Sequence, residues 1–96
     1  MDVKIPDRPS IPKYAFWDTD VEKMDLHADR INIVSRIFDR GKLDDVLQFL
    51  SFYGKKECVD ILVNNEYLQK DAMYLAHTLL AIPLQDFKSY ALHKNN

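Results

Sequence analysis

An all-α fold, a compact bundle of about five short helices behind an extended, proline-rich N-terminal arm, is what this 96-residue sequence predicts. Three observations carry that expectation. Apolar residues recur at three- and four-residue intervals in successive segments, as a helix with one buried face requires. The two glycines, Gly41 and Gly54, directly follow two of those segments, where helices commonly end. Three of the four prolines, Pro6, Pro9 and Pro12, fall within the first twelve residues, where fixed φ angles favour extended chain. No segment sustains the alternation of a strand. The expected division is an arm over residues 1–13, one helical domain over 14–92 and a frayed end over 93–96.

In chain order, Tyr14-Ala15-Phe16-Trp17 forms an aromatic cluster that runs into Asp18-Thr19-Asp20, residues suited to a turn and a helix start. From about Ala28 to Arg40, Ile31, Val34 and Phe38, joined by Ile33 and Ile37, mark a helix that Gly41 stops. Leu43, Val46, Leu47, Leu50 and Tyr53 repeat the pattern up to Gly54, with Asp44 and Asp45 near the positive end of the helix dipole. A third helix is expected from about Lys56 to Asn64, with Cys58, Ile61 and Leu62 on one face. The fourth runs from about Lys70 to Ala81 on Ala72, Leu75, Ala76, Leu79 and Leu80, and Pro83 forces residue 82 out of the helical region. Leu84, Phe87 and Ala91 could line one side of a short closing helix.

A formal charge of −2 and a pI near 5.8 provide no global field to draw the chain onto phosphate backbones or anionic membranes. The longest apolar run, Ala72 to Ala76, is five residues, against the roughly 20 that span a bilayer, so no membrane association is expected. The first residues lack the apolar core of a secretory signal, and Cys58 is the single cysteine, which makes a cytoplasmic location the expectation.

No arrangement for catalysis, metal or cofactor emerges. Asp18, Asp20 and Glu22 alternate as at the start of a calcium loop, but Lys23 stands where such a loop turns on glycine; turn formation and capping suit them better. The histidines at 27, 77 and 93 are not spaced as a helical ligand pair with one another or with Cys58. Cys58 lies on an apolar face as an inert core thiol, and His77 flanks the fourth helix. There is no glycine-rich phosphate loop and no Gly-x-Ser-x-Gly turn. The expectation is a protein that is not an enzyme.

Arg36 and Arg40 share a helical face, Lys42 follows, and Lys55-Lys56 open the third helix, so a modest basic patch forms if the bundle unites them. The interleaved Asp39, Asp44 and Asp45 favour a solvated mixed surface instead. Leu75 to Phe87 has the helix, break and apolar segment of a helix-turn-helix, but its second element carries Lys88 as its one strong cation.

The run Phe16-Trp17-Asp18-x-Asp20 with Lys23 and Asp25, then Ile33-x-x-Arg36-Ile37, Gly41, Leu43-Asp44-Asp45 and Phe52-Tyr53-Gly54, resembles a family of small bacterial proteins of unknown function. The likeness extends from about Tyr14 to Phe87. Members are often encoded beside a nucleotidyltransferase of the abortive-infection toxin type, which implies an antitoxin-like role. The family carries no established catalytic residues. The functional expectation is therefore a noncatalytic interaction protein with a protein partner, a toxin by the resemblance, contacted through Tyr14, Phe16, Trp17 and Asp18. The alternative is a DNA-binding regulator using the C-terminal helices or the Arg36, Arg40, Lys42, Lys55 and Lys56 surface. A blander role for Trp17 is to pack the arm over the bundle, in which case its truncation costs about 3–5 kcal/mol of stability.

Overall fold

The computed structural model describes residues 9–93; the arm as far as residue 8, Pro6 included, and the last three residues lie outside them. The described residues form five α-helices with no strand: α1 (Arg30–Arg40), α2 (Leu43–Tyr53), α3 (Lys55–Asn64), α4 (Lys70–Leu80) and α5 (Tyr90–His93). Short 3-10 turns stand at Lys13–Ala15, Val21–Lys23 and Leu84–Asp86. The expected all-α bundle is what the chain forms.

α1 is the central helix and touches α2, α3 and α4. Its core side is Ile33, Val34, Ile37 and Phe38, all 3% exposed or less. Ile31, expected on that face, is 57% exposed. At about 100° per residue, Ile31 and Ile33 stand on nearly opposite sides of the helix, so both cannot face one core. α2 departs in the same way. Val46 and Phe49 are buried while Leu43 and Leu47 stay in solvent. The side of α2 that packs is set by Val46, Phe49 and Tyr53, with Phe49 and Tyr53 stacked at 6.3 Å between ring centroids. Of the expected stripe Val46, Leu50 and Tyr53 pack inward, and Phe49, which that stripe left out, is buried in place of Leu43 and Leu47.

The core is closed by Cys58, Ile61 and Leu62 of α3, by Ala72, Met73, Ala76 and Leu80 of α4, and by Leu68, Ile82 and Phe87 from the connections. The closing segment is a 3-10 turn followed by a four-residue helix, and Ala91, expected inside, is exposed. Two histidine contacts fix this end: the His77 ring Nδ1 lies 2.6 Å from the Ile82 carbonyl and His93 Nε2 lies 2.9 Å from that of Leu68.

Helix ends follow local chemistry. Asp25 accepts from the backbone N–H groups of His27 and Ala28 at 2.8 and 2.7 Å, and Asp29 accepts from that of Asp25 at 2.8 Å, which organises the turn into α1. A Cβ on Gly41 would meet the Ile37 carbonyl oxygen at 2.5 Å, so only glycine ends α1 in this way. Gly54 has φ +90° and turns α2 into α3. α4 ends one residue early because Ala81 adopts the left-handed conformation, φ 56° and ψ 42°. Left-handed backbone strains a residue that carries a Cβ. Ala81→Gly should therefore stabilise the protein by about 0.5–1 kcal/mol, after the entropy glycine adds to the unfolded chain. The measurement is a urea midpoint that rises with the slope unchanged.

The Tyr53 hydroxyl donates to the Leu26 carbonyl and ties the end of α2 to the loop before α1. Burial pushes this phenol up to about 12 and the Cys58 thiol up to about 11, so the thiol is neutral and inert at physiological pH. Tyr53 thus favours the folded state fully below pH 10, and the contribution is lost as pH rises through the folded value near 12. Tyr53→Phe is expected to cost about 1 kcal/mol at neutral pH. It should also remove the part of the alkaline loss lying between pH 10 and 12, checked by urea denaturation across that range.

Candidate functional site

The aromatic junction and three of the five candidate basic residues meet on one surface. The 3-10 turn Lys13–Ala15 packs against α1, and it sorts the aromatic cluster by residue. Ala15 and Phe16 point inward, at 0% and 1% exposure, while Tyr14 and Trp17 point outward at 48% and 62%. Phe16 is thus a core residue and not the contact residue the sequence grouped with its neighbours. Trp17, in turn, is not a lid over the bundle, since most of its indole is in solvent.

Exposed as it is, the indole is held. The Arg40 guanidinium lies 4.4 Å from the ring centroid and that of Arg36 5.5 Å. Arg36 also lies 5.3 Å from the Phe16 ring and forms an ion pair with Asp18. That hydrogen-bonded pair holds the Asp18 carboxyl below the usual carboxylate range. Asp20, expected to cap, does so by accepting the Glu22 N–H at 3.1 Å.

Tyr14 forms the second half of the surface. Its hydroxyl donates to the Asp45 carboxylate and accepts the Lys42 N–H at 3.0 Å, and the Lys42 ammonium stands 5.5 Å from its ring. Asp45 also accepts the Lys42 N–H directly at 3.2 Å, reaching back across the first turn of α2. Tyr14, Trp17 and Asp18 are thus brought together with Arg36, Arg40 and Lys42 at the joint of α1 and α2.

Lys55 and Lys56 are placed elsewhere. Arg30 at the start of α1 pairs with Glu57 at the start of α3, at 2.8 Å, which sets the two lysines at the opposite end of α1 from Arg40. The basic surface is therefore split. The interleaved carboxylates expected at Asp39 and Asp45 do stand beside the basic residues, and Asp18, which the sequence did not assign to an arginine, joins them. Asp18 faces Arg36, Asp39 lies 3.4 Å from Arg40, and Asp45 stands beside Lys42. Asp45 was recognisable as the third residue of a helix, the position from which a carboxylate reaches back to the cap; Tyr67, the most exposed large hydrophobic residue at 77%, has no periodic signal at all.

Among the described residues no group of three or more His, Cys, Asp or Glu side chains is placed to hold a metal ion. No helix among them is long and apolar enough to cross a membrane. The arrangement offers flat aromatic area, planar guanidinium donors and matched carboxylates, the chemistry of recognition. A family model described as a family of unknown function matches residues 11–62, more than half of the chain and all of this surface. Searches of curated proteins and of solved structures give no match.

Proposed function

We propose that the chain, which belongs to the family of unknown function DUF6922, is a noncatalytic interaction protein that engages a protein partner through the Tyr14, Trp17, Asp18, Arg36, Arg40 and Lys42 surface. The observation that carries this reading is Trp17, 62% exposed yet held by two guanidiniums over its ring, at 4.4 and 5.5 Å. Tryptophan, tyrosine and arginine dominate the energetics of protein interfaces. An indole already fixed in place also loses little freedom on binding.

The charge pattern supports a protein over a nucleic acid. Two of the three cations on the surface are ion-paired, Arg36 with Asp18 and Arg40 with Asp39, and Asp45 lies beside Lys42, which weakens the net field that phosphate binding needs. The C-terminal segment offers a DNA groove only the four described residues of α5. A titration of the protein's own upstream DNA at about 50 mM salt, where phosphate contacts are strongest, is expected to give no binding.

The resemblance makes the antitoxin-like role the specific form of this proposal, with a nucleotidyltransferase of the abortive-infection type as the partner. The test is co-expression of the tagged chain with the nucleotidyltransferase encoded beside it. Wild type is expected to retain the enzyme through purification and folded Trp17→Ala to lose it. Equal recovery by both would sink the aromatic anchor.

A further inference from the structure

We propose that the groove between α1 and α3 is a docking site for a short basic segment of another protein, one that carries an apolar side chain between its cations. The site is separate from the Trp17 surface and does not rest on the reading given for it. α1 and α3 pack against each other and run in the same direction, since Arg30 faces Glu57 at one end and Ser35 faces Asn65 at the other. Those two contacts, at 2.8 and 2.9 Å, hold the helices together at both ends of an open groove of about 500 Å³. That volume lies within the range of ligand sites generally and admits a side chain with its flanking backbone.

The lining gathers apolar residues that the core left out. Ile61 is its most buried apolar residue at 8% exposure, and beside it stand Ile31 at 57% and Tyr67 at 77%. Ile31 is the residue of α1 turned away from the core, and Tyr67 is the most exposed of the large hydrophobic residues. Three carboxylates, Glu57, Asp60 and Glu66, meet one cation, Arg30, which leaves two net negative charges, as many as the formal charge of the whole chain. Arg30 is already taken by Glu57. Asp60 and Glu66 are exposed and make no ion pair with any described residue.

That imbalance selects the occupant. A phosphate backbone or an acidic peptide meets two unpaired carboxylates and is repelled, and a neutral peptide leaves both without a partner. A second copy is poorly suited, since Arg36 and Arg40, which border the groove beyond Asn65 and Tyr67, are already paired with Asp18 and Asp39. A basic segment brings guanidinium or ammonium groups to Asp60 and Glu66 and sets a cation within reach of the Tyr67 ring. Its apolar side chain covers Ile31 and Ile61. From Glu57 to Asn65 the groove runs about 12 Å, at 1.5 Å of rise per residue. About four extended residues at 3.3 Å each span that length, so the recognised motif is a cation on either side of one apolar residue.

The probe is a labelled synthetic peptide of about ten residues with arginines on both sides of a central leucine, titrated into the chain and read by fluorescence anisotropy and amide chemical shifts. The expected result is a Kd of about 10–100 µM at about 50 mM salt, at least about fivefold weaker at about 500 mM, with shifts concentrated at Ile31, Asp60 and Tyr67. The same peptide with glutamates for its arginines should not bind. Asp60→Lys and Glu66→Lys should each weaken binding at least about tenfold, while Asp44→Lys, the same charge change near the far end of α1, should leave it within about twofold. All three sites are exposed, so circular dichroism is expected to show unchanged helix, and the shift map on wild type needs no variant. No binding at about 500 µM peptide overturns the proposal. So does equal binding of a peptide with glycine for leucine, which marks diffuse attraction, or a shift map centred on Trp17. Groove shifts that appear on concentrating the chain alone would make the occupant a second copy and overturn it as well.

Discussion

Phe16→Ala is expected to lower the unfolding free energy by about 3–5 kcal/mol, the range for truncating a fully buried phenylalanine. The ring is 1% exposed and is one of the largest fully buried side chains in the core. It also links the N-terminal segment to α1, with Arg36 lying over its ring at 5.3 Å. Loss of the ring removes that link and leaves a cavity which a central helix touching three others cannot readily close. A domain of this size has only about 5–10 kcal/mol of stability to lose, so the variant should have a much lower denaturation midpoint and should enter solution partly unfolded. A midpoint within experimental error of wild type would place Phe16 outside the core.

Trp17→Ala, one residue on, is expected to do the reverse. With 62% of the residue in solvent, truncation removes little buried area and two cation–π contacts at the surface, a stability change of about 1 kcal/mol or less. Partner affinity should fall by about 2 kcal/mol or more, roughly thirtyfold, as for a central aromatic anchor. Denaturation and co-purification of the same two variants thus form a crossed pair: Phe16→Ala loses stability, and Trp17→Ala loses binding. If Trp17→Ala instead destabilised the chain as much as Phe16→Ala, the indole would be part of the core and the proposed contact surface would lose its anchor.

The difference between these neighbours marks how far the sequence could be read. α1 to α4 were legible because apolar spacing and the positions of Gly41, Gly54 and Pro83 report directly on helix faces and ends. The faces themselves were less legible. Ile31, Leu43 and Leu47 continue apolar stripes, yet the stripes are wider than the surfaces that neighbouring helices cover, and no periodicity says which edge stays in solvent. The inversion at Ala81 was hidden because alanine is the best helix former, and it leaves the helix under tertiary constraint. For the surface at the joint of α1 and α2, residue types were visible in the sequence and their proximity was not. Tyr14 and Asp45 are 31 positions apart, and only packing of the entry segment across α1 brings them together. The same packing decides that Phe16 goes in and Trp17 comes out, an outcome four adjacent aromatic and small residues cannot announce.

The bridge from Tyr14 to Lys42 and Asp45 has a thermodynamic consequence. It closes a loop of about thirty residues, whose ordering entropy grows only slowly with length but must be met by a few contacts at one end. Those contacts are Ala15, the Phe16 ring and a set of exposed polar links, so the entry segment is a natural unit of local opening, detaching at lower free energy than the four-helix core. A ligand gripping Trp17 binds the closed form and not the open one. By linkage it raises the free energy of that opening by RT ln(1 + [L]/Kd), so occupancy of the surface would register as slower amide hydrogen exchange at Lys42, whose N–H is shared between Asp45 and the Tyr14 hydroxyl while the segment is down and keeps only Asp45 when it opens.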